Sequence, residues 1–202
     1  MTLANLLSFS RIPFLFAIVL CLMTPHPGFA TAAVVLFLIA MLTDWLDGLA
    51  ARLMNEITAV GALLDALIDK IFIMGLFIYF LHIRILPDWA LLPLILILAR
   101  ELTITGLRQC ALLQNKVLAA ESHGKLKTVL QFLSLFLLIL AAFFQRDMGG
   151  TPQSLSIADF FKFFGRLTFA FAAFLTLTSG FYYLWRYRMY LGRTPQEGVN
   201  PS

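Results

Sequence analysis

Charge is what this sequence is shortest of. Only 13% of its 202 residues are Asp, Glu, Lys or Arg, against about a quarter in an ordinary soluble domain, which excludes a freely dissolved globule. Cysteine is nearly absent. Cys21 and Cys110 both sit in apolar runs without disulfide or metal-ligand spacing, so a disulfide scaffold and a zinc cluster are excluded and both read as small hydrophobes. The three histidines, His26, His82 and His123, are scattered and build no metal centre. Basic residues exceed acidic ones by 15 to 11, for a net charge of +4, yet they form no long cluster of the kind that grips nucleic acid. Scattered between apolar stretches, they suit anionic lipid instead. No internal repeat or low-complexity segment is present.

What fills the space is hydrocarbon. Hydrophobic residues make up 60% of the chain, and mean hydropathy is +0.87. Several apolar stretches reach the roughly 20 residues that a helix needs to cross a bilayer core of about 30 Å. Spans are expected near 6–24, 29–54, 58–81, 90–113, 126–146 and 163–187. Turns are expected at Pro25 to Gly28, at Pro87 and Asp88, and over 147–159. The first span has a strictly apolar core only over 12–23 and an amphipathic start, with a kink expected at Pro13. A cleaved signal peptide fits poorly, given how many spans follow it. These features predict an all-α, polytopic membrane bundle of six transmembrane helices forming one domain over 1–202, with a polar tail over 194–202. Arg11, Lys116, Lys125, Lys127, Arg186, Arg188 and Arg193 fall on one side of an even number of spans, and fewer cations fall on the other. Both termini are therefore expected in the cytoplasm. The aromatic-rich stretch 181–190 reads as an interfacial belt.

Against this background Asp44, Asp47, Arg52, Asp65, Asp69 and Lys70 stand out, because they lie at or just inside the ends of the second and third spans. An Asp at mid-helix costs about 2.5–3.5 kcal/mol on insertion scales, less near the interface, and no structural need calls for four of them. At roughly 100° per residue, Asp44, Asp47 and Ala51 share one helix face, and Gly61, Asp65 and Asp69 share another. A short turn over 55–58 makes the two helices antiparallel neighbours. Four carboxylates facing one small space repel each other unless cations neutralise them. Hard divalent ions such as Mg²⁺ or Mn²⁺ prefer oxygen ligands and sites shared with phosphates, and a pair of them suits phosphoryl displacement. Gly48 and Gly61 allow close backbone approach, and Arg52 is suited to clamping a phosphate. The competing readings are snorkelling loop charges, a cation transporter lined by the aspartates, or a membrane scaffold. The transporter reading is disfavoured because the carboxylates gather at one membrane face.

The stretch Asp44-Trp45-Leu46-Asp47-Gly48-Leu49-Ala50-Ala51-Arg52, followed after eight residues by Gly61 and then by Asp65 and Asp69, resembles the signature of the CDP-alcohol phosphotransferase family. The resemblance implies six transmembrane helices, a homodimer, a metal-dependent site open to the cytoplasmic leaflet, and release of CMP. Carried onto this sequence, it implies that Asp44, Asp47, Asp65 and Asp69 bind two divalent cations, Mg²⁺ or Mn²⁺, and that Asp69 also acts as the general base. It further implies that Gly48, Ala51, Arg52 and Gly61 line the CDP pocket. Ala66 stands where many relatives have Pro, a difference outside the metal-binding set.

Two further segments, 99–108 and 124–131, together with the opening 5–11, resemble the phosphatidylglycerophosphate synthase branch. That points to CDP-diacylglycerol as donor and sn-glycerol 3-phosphate as acceptor, with serine, inositol phosphate or phosphatidylglycerol as alternative acceptors. Glu101, Thr105 and Arg108 form one helical stripe, and Lys127, Gln131 and Ser134 form another. Arg108, Lys125 and Lys127 supply cations suited to a phosphorylated acceptor, and Lys125 and Lys127 also read as positive-inside anchors. Arg100 is expected to pair with Glu101 or with a neighbouring helix. A bacterial cytoplasmic membrane is the expected location, because no Arg- and Ser-rich transit segment precedes the first span.

Overall fold

An apolar chain shielded from water has to satisfy its backbone internally, and this one does so with helices. The computed structural model describes residues 3–54, 59–113 and 123–191, with side chains described over 9–43, at 61, and over 63–107 and 126–180. The helices are α1 (Leu3–Met23), α2 (Phe29–Met54), α3 (Ala59–His82), α4 (Leu91–Leu113), α5 (His123–Arg146) and α6 (Pro152–Leu191), with a short 3₁₀ turn at Asp88–Ala90 before α4. Among the described residues there is no strand, as the all-α expectation requires.

Among the described residues, three stretches are long and apolar enough to cross a membrane: Asp88–Leu107, Leu126–Arg146 and Pro152–Gly180. Shorter apolar helices run over Phe9–Met23 and Phe29–Thr43. In the sequence of α2, Asp44 and Asp47 follow the apolar run. In α3, Asp65, Asp69 and Lys70 break up what is otherwise a hydrophobic helix. The α1 helix runs unbroken through Pro13.

One boundary differs from expectation. The turn expected over 147–159 occupies only the first few of those residues, and α6 starts at Pro152. Thr151 explains this: its Oγ1 accepts a hydrogen bond from the Ser154 amide at 3.2 Å, a side-chain cap on the helix start. Pro152 follows in the first helical position, where its missing N–H costs nothing.

Helices α5 and α6 pack along one another, α1 packs on α2 and α3, and α4 bridges α3 and α6. Phe37 of α2 sits at the centre, with its ring 6.2 Å from Phe72 and 6.4 Å from both Phe132 and Phe136. Close approach of helices depends on two glycines. A Cβ at Gly165 of α6 would meet Leu138 Cδ2 at 2.7 Å, and one at Gly75 of α3 would meet Leu15 Cδ2 at 2.8 Å. The outside of the bundle is apolar: Phe16, Leu20, Leu92, Phe163 and Phe174 are all more than half exposed. Buried polar groups inside an apolar exterior suit a molecule whose solvent is lipid.

The turns 24–28, 83–87 and 147–151 lie at one end of the bundle, and charged side chains there close helix ends. The Arg146 guanidinium donates to the Leu22 carbonyl at the C-terminus of α1. The Asp147 carboxylate accepts from the Thr31 amide at 2.7 Å and the Thr31 hydroxyl at 2.6 Å, at the N-terminus of α2. Each charge thus sits at the helix end whose dipole it complements. Arg166 of α6 donates to the Ile85 carbonyl at 2.8 Å and ties down the turn after α3. Gly28, with φ of 88°, supplies the left-handed residue that reverses the chain between α1 and α2.

Candidate active site

The α3 helix carries Asp65 and Asp69 one turn apart, which places both carboxylates on one face. That face meets α1. Arg11 reaches across from α1 with only 3% of its surface exposed, and its Nη1 lies 3.5 Å from Asp65 Oδ1. The same guanidinium pairs with Asp69. The two carboxylates therefore converge on a single point, Nη1 of Arg11. Gly61, one turn earlier on the same face, is buried.

Helix α2 contains Asp44, Asp47, Gly48, Ala51 and Arg52, as the spacing predicts, but their side chains lie outside the described residues. So do those of Arg108 and Lys125. Among the described residues no group of three or more His, Cys, Asp or Glu gathers. Of the four aspartates expected to act together, the structure describes the convergence of Asp65 and Asp69.

A second cluster sits beside the first, because Lys70 follows Asp69 in the chain. Glu101 of α4, 4% exposed, takes three cations. Lys70 Nζ lies 3.2 Å from its Oε2, Arg100 Nη1 lies 3.2 Å from its Oε1, and Lys127 Nζ of α5 also contacts Oε1. The two helical stripes seen in the sequence thus meet through Glu101 and Lys127. Arg100 does both things expected of it, pairing with Glu101 and donating to Ser179 Oγ of α6 at 3.1 Å. It lies flat against Gly180, where a Cβ would come within 2.5 Å of Arg100 Cγ. The cluster's four members carry a net charge of +2 in a poorly hydrated place, which favours an anion nearby.

One turn beyond Lys127, Gln131 is 1% exposed and neither atom of its side-chain amide has a hydrogen-bond partner. A buried amide left so costs roughly 1–3 kcal/mol, and a polar ligand would relieve that cost. Ser134, the last member of that stripe, instead donates to the Gly165 carbonyl at 2.7 Å and holds α5 against α6.

Two features were missed by the sequence reading. Arg11 counts there as a positive-inside charge, whereas in the structure it is buried against the aspartates. Lys70 stands out there as an intramembrane charge without a partner, and the structure gives it Glu101. The signal for both was the cost of burying a lone cation, which demands an acidic neighbour.

The model of the family described as CDP-alcohol phosphatidyltransferase matches residues 1–178. The chain belongs to that family. Among curated CDP-alcohol phosphatidyltransferase relatives, the CDP-diacylglycerol–glycerol-3-phosphate 3-phosphatidyltransferase of Bacillus subtilis is 38% identical over 109 residues, 54% of this chain and 55% of that protein. The protein of the same name from Rickettsia bellii is 30% identical over 181 residues, 90% of this chain and 92% of its own length. The cardiolipin synthase (CMP-forming) of Oryza sativa is 36% identical over 150 residues, 69% of this chain and 46% of that protein. The match to the Bacillus protein thus spans about half of it, while the Rickettsia match is nearly end to end. As a CDP-alcohol phosphatidyltransferase, the chain is a transferase of phospholipid biosynthesis, and the converging Asp65 and Asp69 lie within the residues matched by the family model.

Proposed function

We propose that this chain transfers the phosphatidyl group of CDP-diacylglycerol to sn-glycerol 3-phosphate, giving phosphatidylglycerophosphate and CMP. The observation that carries this reading is the convergence of Asp65 and Asp69 on one point, within a chain whose near full-length relative bears that activity in its name. The whole chain, 1–202, acts as one domain of six membrane spans. Its termini and its site face the cytoplasm of a bacterial inner membrane, and it works as a homodimer.

Asp44, Asp47, Asp65 and Asp69 are the residues to hold two divalent cations, Mg²⁺ or Mn²⁺. The donor chemistry fits, since two carboxylates brought together from one helix face are hard oxygen ligands that need a positive partner. When bound, such cations supply positive charge at the phosphates of the donor. Gly48, Ala51, Arg52 and Gly61 line the CDP pocket, with Arg52 holding a phosphate. The acceptor's phosphate lies among Arg108, Lys125 and Lys127, and the net positive charge around Glu101 favours the same anion. The hydroxyl oxygen of the acceptor forms a bond to the phosphorus that carries diacylglycerol, and the bond from that phosphorus to CMP breaks. Asp69 accepts the hydroxyl proton, and CMP leaves with the electron pair.

CMP release by the purified protein, with CDP-diacylglycerol and glycerol 3-phosphate, serine, inositol phosphate or phosphatidylglycerol in parallel, tests the choice of acceptor. Glycerol 3-phosphate is expected to support release and the others to fall far behind. Release driven best by phosphatidylglycerol would move the assignment to the reaction named for the rice relative. Ion flux without nucleotide would return the aspartates to a transport role.

A further inference from the structure

Asp65 and Asp69 are not left to repel each other in the folded chain, because Arg11 already lies between them and α1. It is almost wholly buried, its guanidinium is 3.5 Å from Asp65 Oδ1, and it also pairs with Asp69. Both contacts use the Oδ1 atoms, and Leu15, one turn along α1, packs against Gly75 of α3, so α1 lies close against α3 at this point. A divalent cation held by the same carboxylates would stand within a few ångströms of a unit positive charge. Such proximity is unfavourable by several kcal/mol even at an effective dielectric of about 20. Guanidinium and metal therefore compete for the same oxygens.

We propose that Arg11 is a resident counter-ion that competes with the divalent cation for Asp65 and Asp69, holding the metal-free fold together and setting how tightly the cation binds. This role rests on the reading of Asp65 and Asp69 as cation ligands. Arg11 acts through those aspartates and is a positioning residue. With a cation held there, the guanidinium would give up the Oδ1 atoms and stay beside the site, where it can also contact an anionic group of the donor.

Mn²⁺ binding to the purified protein in detergent, followed by electron paramagnetic resonance without any lipid substrate, provides the test. Arg11→Gln removes the charge and is expected to bind Mn²⁺ at least about tenfold more tightly than wild type. Arg11→Lys keeps the charge and should stay within a few-fold of wild type. In EDTA, Arg11→Gln should melt below wild type, and saturating Mn²⁺ should raise its melting temperature by more than it raises that of wild type. Equal Mn²⁺ affinity in wild type and Arg11→Gln would overturn the role of Arg11 while leaving the cation site standing. Absence of Mn²⁺ binding in every protein would remove the cation site itself, and the role of Arg11 with it. Should Arg11→Gln fail to fold, wild type decides: labelling of Arg11 by phenylglyoxal, read by mass spectrometry, should rise when Mn²⁺ is added. Unchanged labelling overturns the competition.

Discussion

The two ends of the bundle differ in what their best-placed charges hold. At the end formed by the turns 24–28, 83–87 and 147–151, Arg146, Asp147 and Arg166 are each spent on backbone groups at helix ends or turns. At the end where Asp65 and Asp69 lie, side-chain charges meet side-chain charges. Arg11 faces two aspartates, and Glu101 faces Lys70, Arg100 and Lys127. A charge bonded to a helix terminus has a partner that no ligand can replace. A charge bonded to another side chain can exchange that partner for a phosphate or a cation. The first end is built to hold shape, and the second to be rearranged by what binds.

This contrast can be broken from either side. The largest effect is expected from Asp69→Asn, which should lower turnover by about 10³-fold, within the range for losing a general base. It should also lower the melting temperature, because Arg11 loses one of its two carboxylate partners. A variant that is fully active would remove Asp69 from the role of base. Glu101→Ala should act on the fold as well, because it strands the buried Lys127 and the partly buried Lys70 and Arg100. A loss of about 3–5 kcal/mol is expected from breaking such a pairing, read as a lowered melting temperature, and a neutral result would mean that the cluster is not held together by Glu101.

Smaller effects belong to the packing and the closed end. Gly165→Ala forces a methyl group toward Leu138 and should cost about 1–3 kcal/mol by overpacking, without a selective loss of turnover. Asp147→Asn should cost about 1 kcal/mol, the usual worth of a helix cap. Burial pushes the Asp147 carboxyl up, but the hydrogen bonds from the Thr31 hydroxyl and amide, and from the Gly28 and Ala30 amides, outweigh it and hold the group below its ordinary 3.8. The sign follows from that direction. The contribution is fully present above pH 3.8 and is lost as pH falls through the lower folded value. The difference in melting temperature between wild type and Asp147→Asn should therefore shrink in acid, and a difference that grew as pH fell would contradict the cap.

Much of the open end was legible in the sequence because buried charge is costly and therefore informative. Asp65 and Asp69 were placed on one face by helical spacing alone, and the stripes containing Glu101 and Lys127 met as their periodicity implied. Partners were harder to read. Nothing in the local sequence says that Arg11, more than fifty residues before Asp65, packs against it, since that depends on α1 lying beside α3. The closed end was read as turns only. Its caps join Arg146 to Leu22 and Asp147 to Thr31 across more than a hundred residues, and no spacing rule reaches that far. The early start of α6 was legible in principle from Thr151 and Pro152, but the polar residues that follow, Gln153, Ser154 and Ser156, resemble a loop.

The most direct test of the central claim, that the open end is a cation-dependent phosphatidyl transfer site, is CMP release from CDP-diacylglycerol and glycerol 3-phosphate before and after EDTA. Release that stops with EDTA and returns with Mg²⁺ or Mn²⁺ is predicted; release that continues undiminished in EDTA would contradict it.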